Sequence, residues 1–386
     1  MRLTMIATCL FGLEKHLGEE IDALGGHRLD TMDGRISFEG DETVLARANV
    51  GLRCAERVFL SIGRFSATTF DELFCGVRAL PWEAWIGRND AFPVKGHAIK
   101  SQLFSVPDCQ SIIKKAIASR LGERYGVSWL PEDGVTYQVE FFLFKDVATL
   151  MIDTTGQTLH KRGYRPASGA APLRETLAAA MVMTARPRED VLLWDPFCGS
   201  GTIAIEAAMM MRNIAPGMSR SFAAERFAAI GKTVFDRARE EAQDAVKRTC
   251  AFEAWGSDID GEVLALAQAN AQRAGVADAI RFFCADATAI KKPDRRGTIV
   301  CNPPYGERLM SVSEAENLYR RLGRTLAGFD PWQIYVLTSC ETFQTLFGRR
   351  ADKVRKLYNG MIPCGYYQFF RPQASHKDGQ ARTSRQ

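Results

Sequence analysis

The sequence predicts an α/β chain in two parts: an open, mostly parallel sheet covered by helices over 176–371, preceded by an α+β region. Three observations carry this reading. From Val191 onward, short non-alternating apolar runs alternate with helical segments, the pattern of a parallel sheet buried on both faces. Before about residue 155, apolar runs and amphipathic stretches mix without that alternation. Around Gly163–Ala171 the composition turns to Gly, Pro, Ala and Ser, so 156–175 reads as a linker.

The first part opens with a strand at Arg2–Cys9 and a helix over Leu13–Leu24 whose wet face is acidic. Arg35–Phe38 reads as a strand, Thr43–Asn49 as a helix, and Glu56–Phe65 and Phe92–Ser101 as extended. Asp108–Tyr125 is a predicted helix, capped by Asp108 or Ser111, with an apolar stripe through Ile112, Ile113, Ala116, Ile117 and Leu121. Thr136–Phe144 and Val147–Asp153, joined by Lys145-Asp146, make the best hairpin candidate.

In the second part, strands are expected at Val191–Trp194, Ala254–Gly256, Ile280–Ala285, Thr298–Cys301 and Trp332–Thr338. Helices at Gly201–Arg212, Gly261–Gly275 and Glu314–Ala327 lie between them, with an inserted helical region at about 213–252. Val354–Tyr358 and Tyr366–Phe370 stand too close together for a crossover helix, so they should pair antiparallel. The polar stretch 372–386 reads as a disordered tail.

Composition narrows the function classes. The chain has 386 residues, 46% apolar and 25% charged, which allows two or three domains with ordinary cores. Lys plus Arg number 50 against 45 Asp plus Glu, and a net +5 alone points only weakly to nucleic acid. Ten cysteines without a CxxC pair, and five histidines, give no support to a metal site. Cysteines inside apolar runs, as in Ile299-Val300-Cys301, fit a reducing cytoplasm. No apolar run reaches the length of a membrane span, and Met1–Phe11 reads as a strand rather than an export signal.

The sharpest local pattern is Asp195-Pro196-Phe197-Cys198-Gly199-Ser200-Gly201-Thr202, directly after a predicted strand. Glycines 199 and 201 allow a tight turn and close backbone approach to a ligand where a helix begins. A nicotinamide site would place its acidic ribose ligand about 20 residues on; here the second strand ends at Asp258, 57 residues after Gly201. A carboxylate at Asp195 would also repel a pyrophosphate. Asp195 suits instead a cationic ligand end, such as the aminoacyl part of S-adenosylmethionine. Asp258 is placed to accept from both ribose hydroxyls and Asp286 from an adenine amino group, the three acids closing three successive strands. As single residues each could be only a helix N-cap.

The fourth strand ends in Cys301-Asn302-Pro303-Pro304-Tyr305. An exocyclic base amine is a poor nucleophile because its lone pair is conjugated into the ring. If the Asn302 side-chain oxygen and the Pro303 carbonyl each accept one amine hydrogen, the nitrogen faces the methyl donor and its developing charge is stabilised. Pro303 and Pro304 stiffen the loop, and Tyr305 offers a ring to stack a base turned out of its helix.

With these motifs the chain resembles the bacterial THUMP-domain class I RNA methyltransferases, the group that includes the ribosomal large-subunit guanine-N2 enzyme. The likeness runs to about Arg371. It rests on the loop Asp195–Thr202, on Gly256-Ser-Asp-Ile-Asp260, on Asn302–Tyr305, on the segment from Asn213-Ile-Ala-Pro-Gly217, on Leu159–Arg165 and on Val94–Gly96 through Lys114–Ala116. The resemblance implies a Rossmann-like class I methyltransferase sheet with an antiparallel last strand, a THUMP domain at 45–155 and part of a ferredoxin-like companion at 1–44. It implies S-adenosyl-L-methionine as cofactor, held by Asp195, Phe197, Cys198, Gly199, Gly201, Thr202, Asp258, Ile259, Asp286 and Ala287. It gives Asn302, Pro303, Pro304 and Tyr305 the catalytic loop, and makes Lys161, Arg162 and Arg165 phosphate contacts for RNA.

The expected reaction is N2-methylation of a guanine in 23S ribosomal RNA, free or within a ribosome assembly intermediate, with no membrane or metal partner. The Asn-Pro-Pro-Tyr motif also serves adenine-N6 and protein glutamine methyltransferases, so N6-adenine methylation of RNA or DNA is the alternative. A non-catalytic RNA-binding assembly protein is a further one. The bifunctional ribosomal enzyme carries a second methyltransferase domain, whereas one such pattern is found here. Oligomeric state is left open by the sequence.

Overall fold

The computed structural model describes residues 2–165, 173–305 and 311–371. It divides into two units, Met1–Gly163 with Asn213–Lys247, and Tyr164–Arg212 with Arg248–Gln386.

The first unit runs β1 (Leu3–Cys9), α1 (Glu14–Ala23), β2 (His27–Met32), β3 (Arg35–Gly40), α2 (Glu42–Gly51), β4 (Ala55–Ser66), α3 (Phe70–Ala79), β5 (Val94–Ile99), α4 (Val106–Tyr125), β6 (Val139–Phe144) and β7 (Val147–Asp153). Its strands form a single seven-stranded sheet in the order β2-β3-β1-β4-β7-β6-β5. The long strand β4 pairs antiparallel with β1 on one side and β7 on the other. The sheet is therefore continuous, and the division expected at 44/45 falls inside α2. The predicted hairpin is present: Lys145 and Asp146 both take the left-handed conformation (φ 50° and 61°) that a two-residue turn with the sheet's twist requires.

Two elements were not anticipated. β2 is an edge strand whose side chains are almost all exposed, so it shows no alternation. α3 begins at a reciprocal Thr69–Glu72 capping box, a legible signal. The helix expected at Asp108 starts earlier, with Ser105 as N-cap and Pro107 in the first turn, where its missing N–H is harmless.

The second unit begins with α5 (Glu175–Ala185), β8 (Leu192–Asp195) and α6 (Thr202–Met211). At Arg212 the chain leaves this unit, and the segment containing α7 (Lys232–Asp244) belongs to the first. The insertion expected within the methyltransferase domain is thus structurally part of the N-terminal unit. The reason is local: the α2 end and the turn after β7 offer backbone partners. Gly217 N–H donates to Val50 O at 2.8 Å, Arg53 donates to Ile214 O at 2.8 Å, and Ala224 N–H donates to Thr154 O at 3.0 Å. Tyr137 stacks on Phe227 with ring centroids 4.2 Å apart. A side chain at Gly217 would stand 2.8 Å from Val50 Cα and 2.9 Å from Asn49 O, so this contact needs glycine.

From Arg248 the chain supplies β9 (Ala254–Asp258), α8 (Gly261–Arg273), β10 (Ile280–Cys284), β11 (Gly297–Cys301), α9 (Val312–Ala327), β12 (Gln333–Thr338), α10 (Phe343–Phe347), β13 (Lys353–Asn359) and β14 (Ile362–Phe369). The sheet order is β10-β9-β8-β11-β12-β14-β13, with only β14 reversed: it pairs antiparallel with β12 and, as expected, with β13. Successive strands run outward from β8 in one direction and from β11 in the other, so their carboxyl ends frame the crevice where such sheets bind ligands. α5, which begins where the expected linker 156–175 ends, was not among the expected helices, because its Ala-rich sequence is buried nearly all round and shows no stripe. The 166–172 part of that linker and the tail 372–386 lie outside the described residues.

The close approach at Gly217 generates a prediction. Gly217→Val should lower the stability of the first unit by roughly 1–3 kcal/mol, the usual cost of overpacking, and speed amide exchange across 213–247. Unchanged exchange in that segment would show that the contact does not hold the insertion.

Candidate functional site

Parallel register sets the site. Asp195 closes β8 opposite Gly256, and Asp258 closes β9 opposite Cys284. Asp286 lies just beyond β10 and Asn302 just beyond β11. The four predicted strand-end residues therefore share one edge of the sheet.

Between β8 and α6 the loop is held from below and left open above. Cys198 N–H donates to Ser257 O at 3.0 Å, Gly199 N–H to Asp258 Oδ2 at 2.9 Å, and Gly201 N–H to Cys198 O at 2.7 Å. Gly201 has φ +84°, and a Cβ there would stand 3.1 Å from both Ala267 Cβ and the Phe282 ring, so conformation and packing both require glycine. At Gly199 a Cβ would meet nothing within 4 Å: that stretch of backbone faces open space. Cys198 and Thr202 are buried, and Phe197 packs against the main core of the unit.

The acids differ in state. Asp195 is buried, and its Oδ1 accepts from Phe197 N–H at 3.1 Å. Burial pushes its carboxyl up to about 8; the Phe197 N–H opposes this and the nearby Asp258 charge adds to it. Asp258 also accepts from Asp260 N–H at 3.2 Å, and Asp260 caps α8. Asp286 accepts from Thr288 N–H at 2.8 Å, from the Thr288 hydroxyl at 2.7 Å and from Arg321 at 3.1 Å. The Thr288 donors, helped by Arg321, hold its carboxyl below the usual range. Between Asp258 and Asp260, Ile259 is 73% exposed, an apolar face at a polar rim, whereas Ala287 is buried.

On the β11 side Pro303 is buried. The Tyr305 hydroxyl donates to Asn302 Oδ1 and accepts from Asn359 Nδ2 at 3.4 Å. An amide oxygen has two lone pairs, so one remains on Asn302 for a further donor. The ring expected to stack a base thus also orients the amide, and burial keeps its phenol protonated.

The basic run needs correction. Lys161 is exposed, but Arg162 is buried and donates to Leu159 O at 2.7 Å and Arg53 O at 2.5 Å. Arg165 donates to Thr202 Oγ1 at 2.9 Å and pairs with Glu175 at 2.9 Å, both side chains being less than a tenth exposed. A buried guanidinium must give its N–H groups to protein acceptors, so these two arginines brace their own units rather than meeting phosphate. Arg165 acts on the first residue of α6, immediately behind the Gly199–Gly201 turn.

Sequence reasoning also missed Asn270 and Arg321. Asn270 is buried on α8 and donates to Ser200 O at 2.9 Å, fixing the loop from the far side. A polar residue between Ala267 and Ala271 on an apolar helix face was the available signal. Among the described residues no cluster of three His, Cys, Asp or Glu is placed to hold a metal, and no helix is long and apolar enough to cross a membrane.

Comparison with known proteins gives the family. An RMKL-like methyltransferase domain matches residues 162–368, an RlmL ferredoxin-like domain 4–59 and a THUMP domain 67–153. The chain is 43% identical over 377 residues to the Bacillus subtilis (strain 168) protein named "Putative RNA methyltransferase YpsC", covering 96% of this chain and 98% of that one. It is 34% identical to the Shewanella baltica "Ribosomal RNA large subunit methyltransferase K/L" over 94% of its own length but 52% of that protein's. The solved structure of "SMU.472, a putative methyltransferase complexed with SAH" superposes with TM-score 0.90 at 38% identity, covering 97% of this chain and 99% of that one. The chain belongs to the RMKL-like methyltransferase family: it is a THUMP-containing, S-adenosylmethionine-dependent RNA methyltransferase related to the ribosomal K/L enzymes.

The state of Asp195 has a measurable consequence. Its folded pKa lies above its unfolded value, so the ligand-free protein is favoured at low pH and loses stability as pH rises towards about 8. The slope expected from one such group is on the order of 1 kcal/mol per pH unit. Asp195→Asn should flatten that slope between pH 5 and about 8 in denaturant titrations. Parallel profiles for the two proteins would contradict the assignment.

Proposed function

We propose that this chain methylates the exocyclic N2 of a guanine in 23S ribosomal RNA. The observation that carries the reading is the likeness to the K/L methyltransferase across 94% of the chain, taken with an amide acceptor, Asn302, on the same sheet edge as the three acids.

The residues at the strand ends fit S-adenosylmethionine. Among the described residues no cation acts on the buried Asp195 carboxyl, and the donor's ammonium would restore its charge. Asp258 would receive the ribose hydroxyls, Asp286 the adenine amino group, and the exposed Ile259 an adenine face. Gly199, where a Cβ would meet no described atom within 4 Å, lets the aminoacyl end come close to the backbone. When bound, the cofactor supplies an electrophilic methyl on a sulfonium.

The chain's own contribution is orientation. Asn302 Oδ1 accepts one amine hydrogen with its remaining lone pair, and the Pro303 carbonyl accepts the other. Together they turn the nitrogen lone pair out of conjugation and stabilise the charge that builds on it. No strong base is needed, because the nitrogen loses its extra proton readily once methylated. Exposed Lys161 remains a phosphate contact in this reading, with ribosomal RNA or an assembly intermediate as partner and the cytoplasm as its place.

Asn302→Ala should leave donor affinity near wild type and lower single-turnover methylation by roughly 10²–10³-fold, as for loss of one aimed transition-state hydrogen bond. Nucleoside mass spectrometry of ribosomal and transfer RNA, with active and Asn302→Ala protein, reads the product. Appearance of N2-methylguanosine in 23S RNA only with active protein is expected. N6-methyladenosine instead would replace the guanine reading with the adenine one, and wild-type turnover by Asn302→Ala would remove Asn302 from the chemistry.

A further inference from the structure

Behind the Asn302–Tyr305 loop lies a buried chain of hydroxyls that neither the motif nor the family likeness assigns. Tyr319 on α9 and Thr338 at the end of β12 are both fully buried. The Tyr319 hydroxyl donates to Pro304 O at 2.8 Å and lies 2.9 Å from Thr338 Oγ1. Thr338 Oγ1 also accepts from Cys340 N–H at 3.1 Å. Proton bookkeeping fixes the direction. Tyr319 has a single O–H, and Pro304 O can only accept, so that proton goes to Pro304. Thr338 must then donate to the Tyr319 oxygen, while its own oxygen takes the Cys340 N–H. Each proton is used once, and the chain ends on the carbonyl inside the Pro-Pro-Tyr sequence.

This arrangement meets a specific need of the loop. Proline has no N–H, so neither Pro303 nor Pro304 can anchor the segment by donating a backbone hydrogen bond. The carbonyls are the available handles, and Tyr319 holds the one at Pro304. That carbonyl's direction sets the peptide plane leading to Tyr305, whose hydroxyl in turn meets Asn302 Oδ1. The Tyr319 ring is itself fixed by an edge contact with Phe343, with centroids 5.2 Å apart and planes at 85°.

We infer that Tyr319 and Thr338 are positioning residues for methyl transfer: a directional hydroxyl chain from the end of β12 fixes the Pro304 carbonyl and so the amine-orienting loop. This rests on the catalytic reading of Asn302 given above. Tyr319→Phe keeps the ring and its Phe343 contact and removes only the hydroxyl. Thr338→Val keeps the shape and removes the middle link.

Both variants, made in the full chain, are expected to bind S-adenosylmethionine as wild type does by calorimetry. Their single-turnover rate at saturating donor should fall roughly 10- to 100-fold, as for a small misplacement of reacting groups. Amide exchange at Asn302 and Tyr305 should quicken in both. Because both break one chain, the double variant should be little slower than either single one. Thr338→Ser, which retains a hydroxyl, should recover most of the rate lost in Thr338→Val. A purely structural role would instead lower the thermal midpoint while leaving the rate per folded molecule and the loop's exchange as in wild type; that result overturns the inference. If the wild-type protein methylates no ribosomal or transfer RNA, the proposed activity fails, while amide exchange at Asn302 and Tyr305 still decides the positioning role.

Discussion

Burial of the Asp195 carboxyl at the end of β8 constrains everything around it. Such a group is costly to ionise, and among the described residues its Oδ1 accepts from one donor, the Phe197 N–H. Its position is fixed by parallel pairing with β9, which sets Asp258 on the next strand end and lets that acid receive the Gly199 N–H. The loop between Asp195 and α6 is then determined from several sides: by Ser257 O, by Asp258, by Asn270, and by Arg165 through Thr202. What is left undetermined by protein contacts is the open side over Gly199. A rigid turn with one open backbone face beside a buried carboxyl suits the cationic ligand end proposed above.

The same logic applies on the other side of the sheet, with different means. The β8 loop is held by backbone N–H groups, whereas the β11 loop is made of two prolines and has none to offer at those positions. Side-chain hydroxyls take over: Tyr319 on Pro304, and Tyr305 on Asn302. The donor side and the acceptor side of the crevice are thus stiffened by independent networks, so substitutions in one should leave the other's ligand affinity largely intact.

Much of this was legible in the sequence, and the parts that were not have physical reasons. The parallel strands showed because both their faces are buried and they read as unbroken apolar runs. The antiparallel end of the sheet followed from the short spacing between Val354–Tyr358 and Tyr366–Phe370. That Asp195, Asp258, Asp286 and Asn302 would lie together could be read because strand ends in such a sheet converge on one edge. The basic run misled because charge in sequence does not report burial: Arg162 and Arg165 satisfy internal acceptors, and only Lys161 of the three is exposed. The insertion misled because periodicity finds helices but not the surface on which they pack. The glycine at 217 carried that information, since a close approach to Val50 admits no side chain. Asn270 and Tyr319 act through tertiary contacts that no local pattern encodes.

In the proposed reading the methyl donor occupies the strand-end crevice, with Asp258 as its main polar anchor beyond the aminoacyl end. Calorimetric titration of S-adenosylmethionine into the wild-type chain and Asp258→Ala tests it most directly. One donor is expected to bind per wild-type chain, with an affinity at least about tenfold lower in the variant, since two ribose hydrogen bonds of about 1 kcal/mol each are lost. Wild-type affinity in Asp258→Ala, with the variant folded, would place the donor away from the strand-end crevice.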